Sequence, residues 1–339
     1  MTAFVVVRRN GAEESRHRIH AAVTDGRGHL LHGLGDPDRV TYFRSAAKPF
    51  QALPLVEDGV AEAFGLEAGH LAVACGSHSG AAEHVAQVRD FLHRAKSHEE
   101  ELECGAESPL DPEAARELSA SGRKPGRIHH NCSGKHAGMI ALARHRGWPV
   151  QGYRLQGHPV QVRMQREVAR WASVEDTALV LGTDGCGVTT FGLPLQAMAR
   201  AFGALGRAIR EGETGPIALA RAMIERPEQV AGRDRLCTLL LEAGKGKILA
   251  KVGAEGVYCA AVPDRNVAVA LKVEDGSRRA AEPALVRILD LLEVLPSSTG
   301  RELQGFRRPA VRNSRQEEVG EIDATFVLEA GEPPEGEAG

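Results

Sequence analysis

The chain opens on a β pattern. Residues 4–9 are an apolar run, and the stretches 18–24 and 29–34 flank Asp25-Gly26-Arg27-Gly28, a hairpin signal. The period then changes. Phe50, Leu53 and Val56 recur at helical spacing, Ser45 stands where a cap belongs and Pro49 falls in the first turn, which predicts a helix over 45–57 with a kink at Pro54. Leu71-Ala72-Val73-Ala74-Cys75 is a continuous apolar run and reads as a short buried strand or apolar segment. It leads into the polar string Gly76-Ser77-His78-Ser79-Gly80 and a helix over 81–95. Residues 104–128 read as a connection with a helix near 112–119, and a second polar string, 129–136, precedes an apolar helix that ends before Gly147-Trp148-Pro149. Further helices are predicted at 158–173, 194–210, 216–225 and 233–243, with an apolar stretch at 177–181 before Gly182-Thr183-Asp184-Gly185-Cys186-Gly187. Short strands return at 248–252, 256–261 and 266–273, then a helix at 279–294 and a last strand at 317–328; residues 329–339 read as an acidic, loose tail.

Strands at both ends around a helical middle predict an α+β fold. One antiparallel sheet would be flanked by helices and carry an inserted helical lobe, giving a single two-lobed domain over 1–328 with its site in the cleft. Of the 339 residues 42% are hydrophobic and 26% charged, the balance of a globular chain. No apolar run approaches the roughly 18 residues that span a membrane, and the run at 4–7 is too short for a signal peptide, so a cytoplasmic protein is expected. A formal net charge of −3 leaves no basic footprint for nucleic acid. The six cysteines include no C-x-x-C pair, and a chain of this size needs no disulfide staples. Of the 42 basic residues only eight are lysine, which draws attention to each lysine in an apolar or Gly-rich setting.

Ser45-x-x-Lys48 places a hydroxyl and an amine on one face of a helix start, where a desolvated, neutral lysine can take the serine proton. The bland alternative, a capping serine beside an exposed lysine, arises often by chance. Lys251-Val252-Gly253 at the end of a predicted strand changes the balance. Serine acyl-transfer enzymes of the penicillin-recognising type carry S-x-x-K, a middle serine element and a lysine–glycine strand in this order, and Ser77-His78-Ser79 occupies the middle place. Cys132, in Asn131-Cys132-Ser133-Gly134-Lys135-His136, stands at a helix start, and Cys186 lies in a Gly-rich loop; the pair could hold a metal, although spacing alone favours two ordinary buried thiols. Gly134-Lys135 is not a phosphate loop, and neither H-E-x-x-H nor G-x-G-x-x-G is present.

Taken together these strings resemble the rhizobial-type (class 3) L-asparaginases, also known as the asparaginase II family. The resemblance is carried by Arg44–Gln51, Cys75–Gly80, His130–Gly138, Asp184–Val188 and Lys251–Val257, across residues 4 to about 328. It implies a fold similar to the serine β-lactamases and penicillin-binding proteins, hydrolysis of L-asparagine to L-aspartate and ammonia, and a homodimer. It implies two serine–lysine tandems, Ser45 with Lys48 and Ser77 with Lys251. It further implies one zinc per chain on Cys132, Lys135 and Cys186, and a substrate pocket lined by Arg44, His136 and Asp184. One position departs from the family pattern: Thr189 stands where proline is common. Other readings of the same residues are a glutaminase or other small-amide hydrolase, a β-lactamase or peptidase, which the lack of an export signal disfavours, and a non-catalytic zinc-binding amide sensor.

Overall fold

The computed structural model describes residues 3–244, 246–295 and 302–330. Along the chain the strands are β1 (Ala3–Arg9), β2 (Ala12–Asp25), β3 (Leu30–Leu34), β4 (Val40–Tyr42), β5 (Val180–Thr183), β6 (Thr189–Pro194), β7 (Leu249–Val252), β8 (Val257–Val262), β9 (Val267–Val273), β10 (Ala310–Arg312), β11 (Glu318–Ala324) and β12 (Glu329–Ala330). The α-helices are α1 (Lys48–Glu57), α2 (Val60–Ala63), α3 (Ala68–Cys75), α4 (Ala82–Arg94), α5 (Pro112–Ala120), α6 (Ser133–Arg146), α7 (Pro159–Ala172), α8 (Leu195–Glu211), α9 (Thr214–Glu225), α10 (Pro227–Ala231), α11 (Leu236–Gly244), α12 (Arg278–Leu291) and α13 (Gln304–Arg307). They fall into two compact units. One comprises Met1–Ala46, Leu193–Arg210 and Ala243–Gly339; the other, Ala47–Gly192 and Glu211–Glu242, is inserted into it along the chain.

The first unit is built on an antiparallel sheet in the order β10-β11-β1-β2-β9-β8-β7, with β3 added to β2 and β12 to β3. The long β2 organises it. Its first half pairs with β1, its second half pairs with β3 on the same side, and β9 runs along the opposite side. Strands β8 and β9 are buried at every position, so both faces of the sheet are covered there. Helix α12 packs against β8, β9 and β11. A Cβ on Gly206 would lie 3.7 Å from the Ala261 side chain, which puts α8 directly on β8. The fold class is thus α+β, with an antiparallel sheet flanked by helices and a helical unit inserted.

The second unit is helical apart from the β5–β6 hairpin. Its centre is α3, buried from Gly69 to Cys75 and packed by α1, α4, α6, α9 and α10. Here the strand reading of 71–75 is corrected: the run is helical. A helix buried all round shows no periodicity, and its small residues Ala72 and Ala74 suit helix–helix contact. Helix α6 is buried from Ser133 to Ala143 and touches α3 so closely that a Cβ on Gly134 would meet the Val73 carbonyl oxygen at 2.4 Å. At the far end of α1, Asp58 accepts from Arg163 Nε at 3.2 Å and Nη2 at 3.1 Å, which fastens the helix to α7. Burial pushes the Asp58 carboxyl up, but hydrogen bonds from Arg163 and Arg146 outweigh it and hold the group below the usual carboxylate range.

Two boundaries also differ from expectation. Residues 44–47 form a separate 3-10 turn and α1 begins at Lys48 with no side-chain cap, so Ser45 does not cap the helix and Pro49 sits within its first two positions. Glu329–Ala330 pair with β3 rather than starting the tail, and 331–339 lie outside the described residues. No helix among the described residues is long and apolar enough to cross a membrane.

The Gly134 contact gives a direct test of the α3–α6 packing. Gly134→Ala is expected to destabilise the protein by about 1–3 kcal/mol in a urea melt, since backbone must move to admit the methyl group. Gly105→Ala, where a Cβ meets nothing within 4 Å, is expected to leave the midpoint unchanged.

Candidate active site

Lys48 starts α1 and is fully buried. Its Nζ donates to Gly76 O at 2.5 Å, to Ser77 Oγ at 3.0 Å and to Asn131 O at 3.4 Å, so three segments converge on one amine. The chain leaves α3 at Gly76 in an extended conformation, φ −83° and ψ 158°. A side chain at Gly76 would strike Gln229 O at 2.6 Å, and Ser77 N donates to Val230 O at 2.7 Å, which holds the serine in place.

The other serine and lysine belong to the sheet unit. Ser45 lies in the 3-10 turn that runs into α1, directly after Arg44, whose φ of 52° is in the left-handed region. A non-glycine residue there costs on the order of 1 kcal/mol, and such strain clusters at functional sites. The turn is closed by Ala46 N donating to Phe43 O at 3.2 Å, and the Phe43 ring packs edge-on against Phe202 of α8 at 6.1 Å. A Cβ on Gly253 would meet that same Phe43 oxygen at 3.1 Å, so the Lys251-Val252-Gly253 segment is seated against the Ser45 turn. Lys251 is fully buried on β7 and donates to Val252 O at 2.9 Å.

A second cluster surrounds Cys132, which caps α6. The ligand atoms of Cys132, Asp184 and Cys186 lie within 4.8 Å of one another. Lys135 Nζ donates to Cys186 Sγ at 3.1 Å and lies 3.8 Å from Asp184 Oδ2. A hydrogen bond from Cys186, with the Lys135 charge behind it, pulls the Cys132 pKa well below the ordinary thiol value despite burial, which makes Cys132 the thiolate of the pair. The Cys186 pKa is raised by that same bond and by burial. Lys135 stays protonated: burial opposes its charge, but Cys186, Cys132 and Asp184 outweigh it. Burial pushes the neighbouring Cys104 thiol up to about 12. Two sulfurs and a carboxylate form a donor set suited to a borderline-soft divalent ion, which the Lys135 amine could join only after losing its proton.

His136 follows on α6 and is buried beside Tyr153, with Nδ1 2.6 Å from the phenol oxygen. Burial, reinforced by the Lys135 charge, holds the imidazole neutral. The Asp184 loop is a tight turn: Gly187, at φ 88°, donates to Asp184 O at 2.8 Å, and Asp184 N donates to Val188 O at 2.8 Å. Thr189 N then donates to Gln161 Oε1 at 3.3 Å, a bond that a proline at this position could not make.

The helical unit thus gathers Lys48, Ser77, Cys132, Lys135, His136, Asp184 and Cys186, while Arg44, Ser45 and Lys251 belong to the sheet unit. The hydrogen bond from Lys48 reaches Ser77, a pairing that the sequence tandems did not contain. Asn131, Tyr153, Gln161 and Glu103 were not singled out as site residues; only Asn131 stood inside a motif, and the others carry no local signal.

The family model described as L-asparaginase II matches residues 5–324, nearly the whole chain. The chain belongs to the L-asparaginase II family. Membership makes it an amidohydrolase acting on a small-molecule substrate. No curated protein matches. Among solved structures, a beta-lactamase from Mycobacterium bovis is similar at 15% identity and a TM-score of 0.35, with 82% of this chain and 95% of that chain covered.

For this asparaginase II family member the thiolate assignment is open to spectroscopy. Metal-stripped protein at neutral pH is expected to show an ultraviolet thiolate band that Cys132→Ser removes and Cys104→Ser leaves intact. Because the pKa is lowered, the band persists as pH falls below the ordinary thiol range and fades only through the depressed Cys132 pKa. A band that appears only at the alkaline pH of free thiols would contradict the assignment.

Proposed function

We propose that this protein hydrolyses L-asparagine to L-aspartate and ammonia, with Ser45 as nucleophile and Lys48 as its base. The observation that carries the reading is a fully buried Lys48 at the start of α1, directly after the strained turn that holds Ser45, in a chain of the L-asparaginase II family. Ser45 Oγ attacks the side-chain amide carbon and its proton passes to neutral Lys48 Nζ. Backbone N–H groups near Ser45 hold the oxyanion. The C–N bond then breaks, a proton relayed through Ser77 and Lys251 leaves with ammonia, and an aspartyl ester remains on Ser45. Water, deprotonated by the Ser77–Lys251 tandem, attacks the ester carbon, the bond to Ser45 Oγ breaks, Lys48 returns its proton to that oxygen, and aspartate is released. Asp184 offers the counter-charge to the substrate α-ammonium, Arg44 or a bound zinc would receive its carboxylate, and His136 lines the pocket.

One zinc per chain would be held by Cys132, Lys135 and Cys186, with Asp184 beside them, and would supply a positive charge that orients a substrate carboxylate. Lys135 must lose its proton to ligate, which the metal's charge favours. The reading includes a homodimer in the cytoplasm. A second reading makes Ser77 the nucleophile, and the Lys48–Ser77 hydrogen bond favours it.

Ammonia release from asparagine by the purified protein is the primary test. Ser45→Ala and Lys48→Met are expected to lower it by about 10³-fold or more with the fold intact. Near wild-type release by folded Ser45→Ala would transfer the nucleophile's role to Ser77. Glutamine is expected to react poorly and penicillins not at all; comparable glutamine turnover would broaden the assignment, since a methylene is worth only about 1–3 kcal/mol in a pocket. Metal analysis is expected to find about one zinc per chain, lost in Cys132→Ser and Cys186→Ser. Fully active, metal-free wild type would reduce these residues to buried thiols and a pocket lysine.

A further inference from the structure

The contacts of Tyr153 determine which nitrogen of His136 carries the proton. Tyr153 is fully buried in the turn before α7. Its phenol oxygen accepts the Glu103 N–H at 2.9 Å and lies 2.6 Å from His136 Nδ1. A phenol has one proton to give, and among the described residues Nδ1 is the acceptor in reach. The O–H therefore donates to Nδ1, and a neutral ring so bonded carries its own proton on Nε2. That Nε2 is buried and has no hydrogen-bond partner among the described residues. Among the described residues nothing uses the donor that Tyr153 creates.

The tyrosine is itself braced. Gln161, buried at 2% exposure, donates to Tyr153 O at 2.8 Å and accepts from Thr189 N at the end of the Asp184 turn. The Glu103 carboxylate accepts Gly152 N–H at 2.6 Å, so Glu103 holds the turn by its side chain while its backbone holds the phenol. These bonds tie His136, on the helix that begins with the Cys132 cluster, to the loop that carries Asp184 and Cys186.

We propose that Tyr153 is a positioning residue of the amide-hydrolysing site: it holds His136 in the Nε2–H form, so that the ring presents a fixed N–H donor to a carboxylate or amide oxygen of the substrate. This rests on the reading above that His136 lines the substrate pocket. Tyr153 touches no reacting atom; its effect passes through the ring.

Long-range proton–nitrogen NMR on histidine-labelled wild type is the first arm, and it needs no variant and no substrate. A His136 signal with a protonated Nε2 and a bare Nδ1 is expected; a proton on Nδ1 overturns the proposal. The second arm is kinetic. Tyr153→Phe, with its fold checked by circular dichroism and melting, is expected to raise KM for asparagine roughly tenfold, the worth of about one hydrogen bond, with a smaller change in kcat. His136→Gln supplies an amide N–H near the Nε2 position without needing the tyrosine, so adding Tyr153→Phe to it is expected to change KM little further. An equal loss in both backgrounds would make Tyr153 merely structural and overturn the proposal. A wild type inactive on asparagine would sink the functional reading, and the substrate-binding role of Tyr153 with it, while the NMR arm still decides whether Tyr153 sets the ring.

Discussion

A single buried amine organises the helical unit. Lys48 has no access to solvent, and a polar group left unpaired there would cost on the order of 1–3 kcal/mol. It is tolerated because Gly76 O, Ser77 Oγ and Asn131 O all lie in hydrogen-bond reach of its Nζ. Those acceptors arrive from two helix ends. α3 stops at Cys75 and releases Gly76 and Ser77, while Asn131 immediately precedes the Cys132 cap of α6. The approach of α3 to α6 at Gly134 brings these ends together, so the packing of two helices and the pairing of one buried amine are the same requirement.

The neighbouring cluster obeys the same pairing rule with charges of both signs. Lys135 is a cation buried beside Cys132, and the negative charges around it are the Cys132 thiolate and the Asp184 carboxylate. No group there could lose its charge without shifting its neighbours. Two sulfurs and a carboxylate brought this close are what make the cluster a credible cradle for a metal.

Much of the fold was legible because its signals are local. The strands at both ends, the hairpin turn at Gly26 and the helices after each polar string follow from period and turn chemistry. The failure at 71–75 is equally physical: Leu-Ala-Val-Ala-Cys is short, apolar and buried on all sides, and no period separates helix from strand in such a run. The serine–lysine motif and the two cysteines were legible as residue types at fixed spacing. The bond between Lys48 and Ser77 was not, because the partners are 29 positions apart, and Tyr153 reaches the Glu103 N–H across 50. Ser45 was read as a helix cap, but the chain makes a 3-10 turn there with Arg44 in a left-handed conformation, a strain that residue identity alone does not announce.

The central claim is that Ser45 and Lys48 act as one unit. A double-mutant cycle on ammonia release from asparagine, with Lys48→Met, Ser45→Ala and the pair, measures this directly. Strong non-additivity is predicted, the double variant being little worse than the more damaged single one. Losses that simply multiply would show two independent residues and contradict the account.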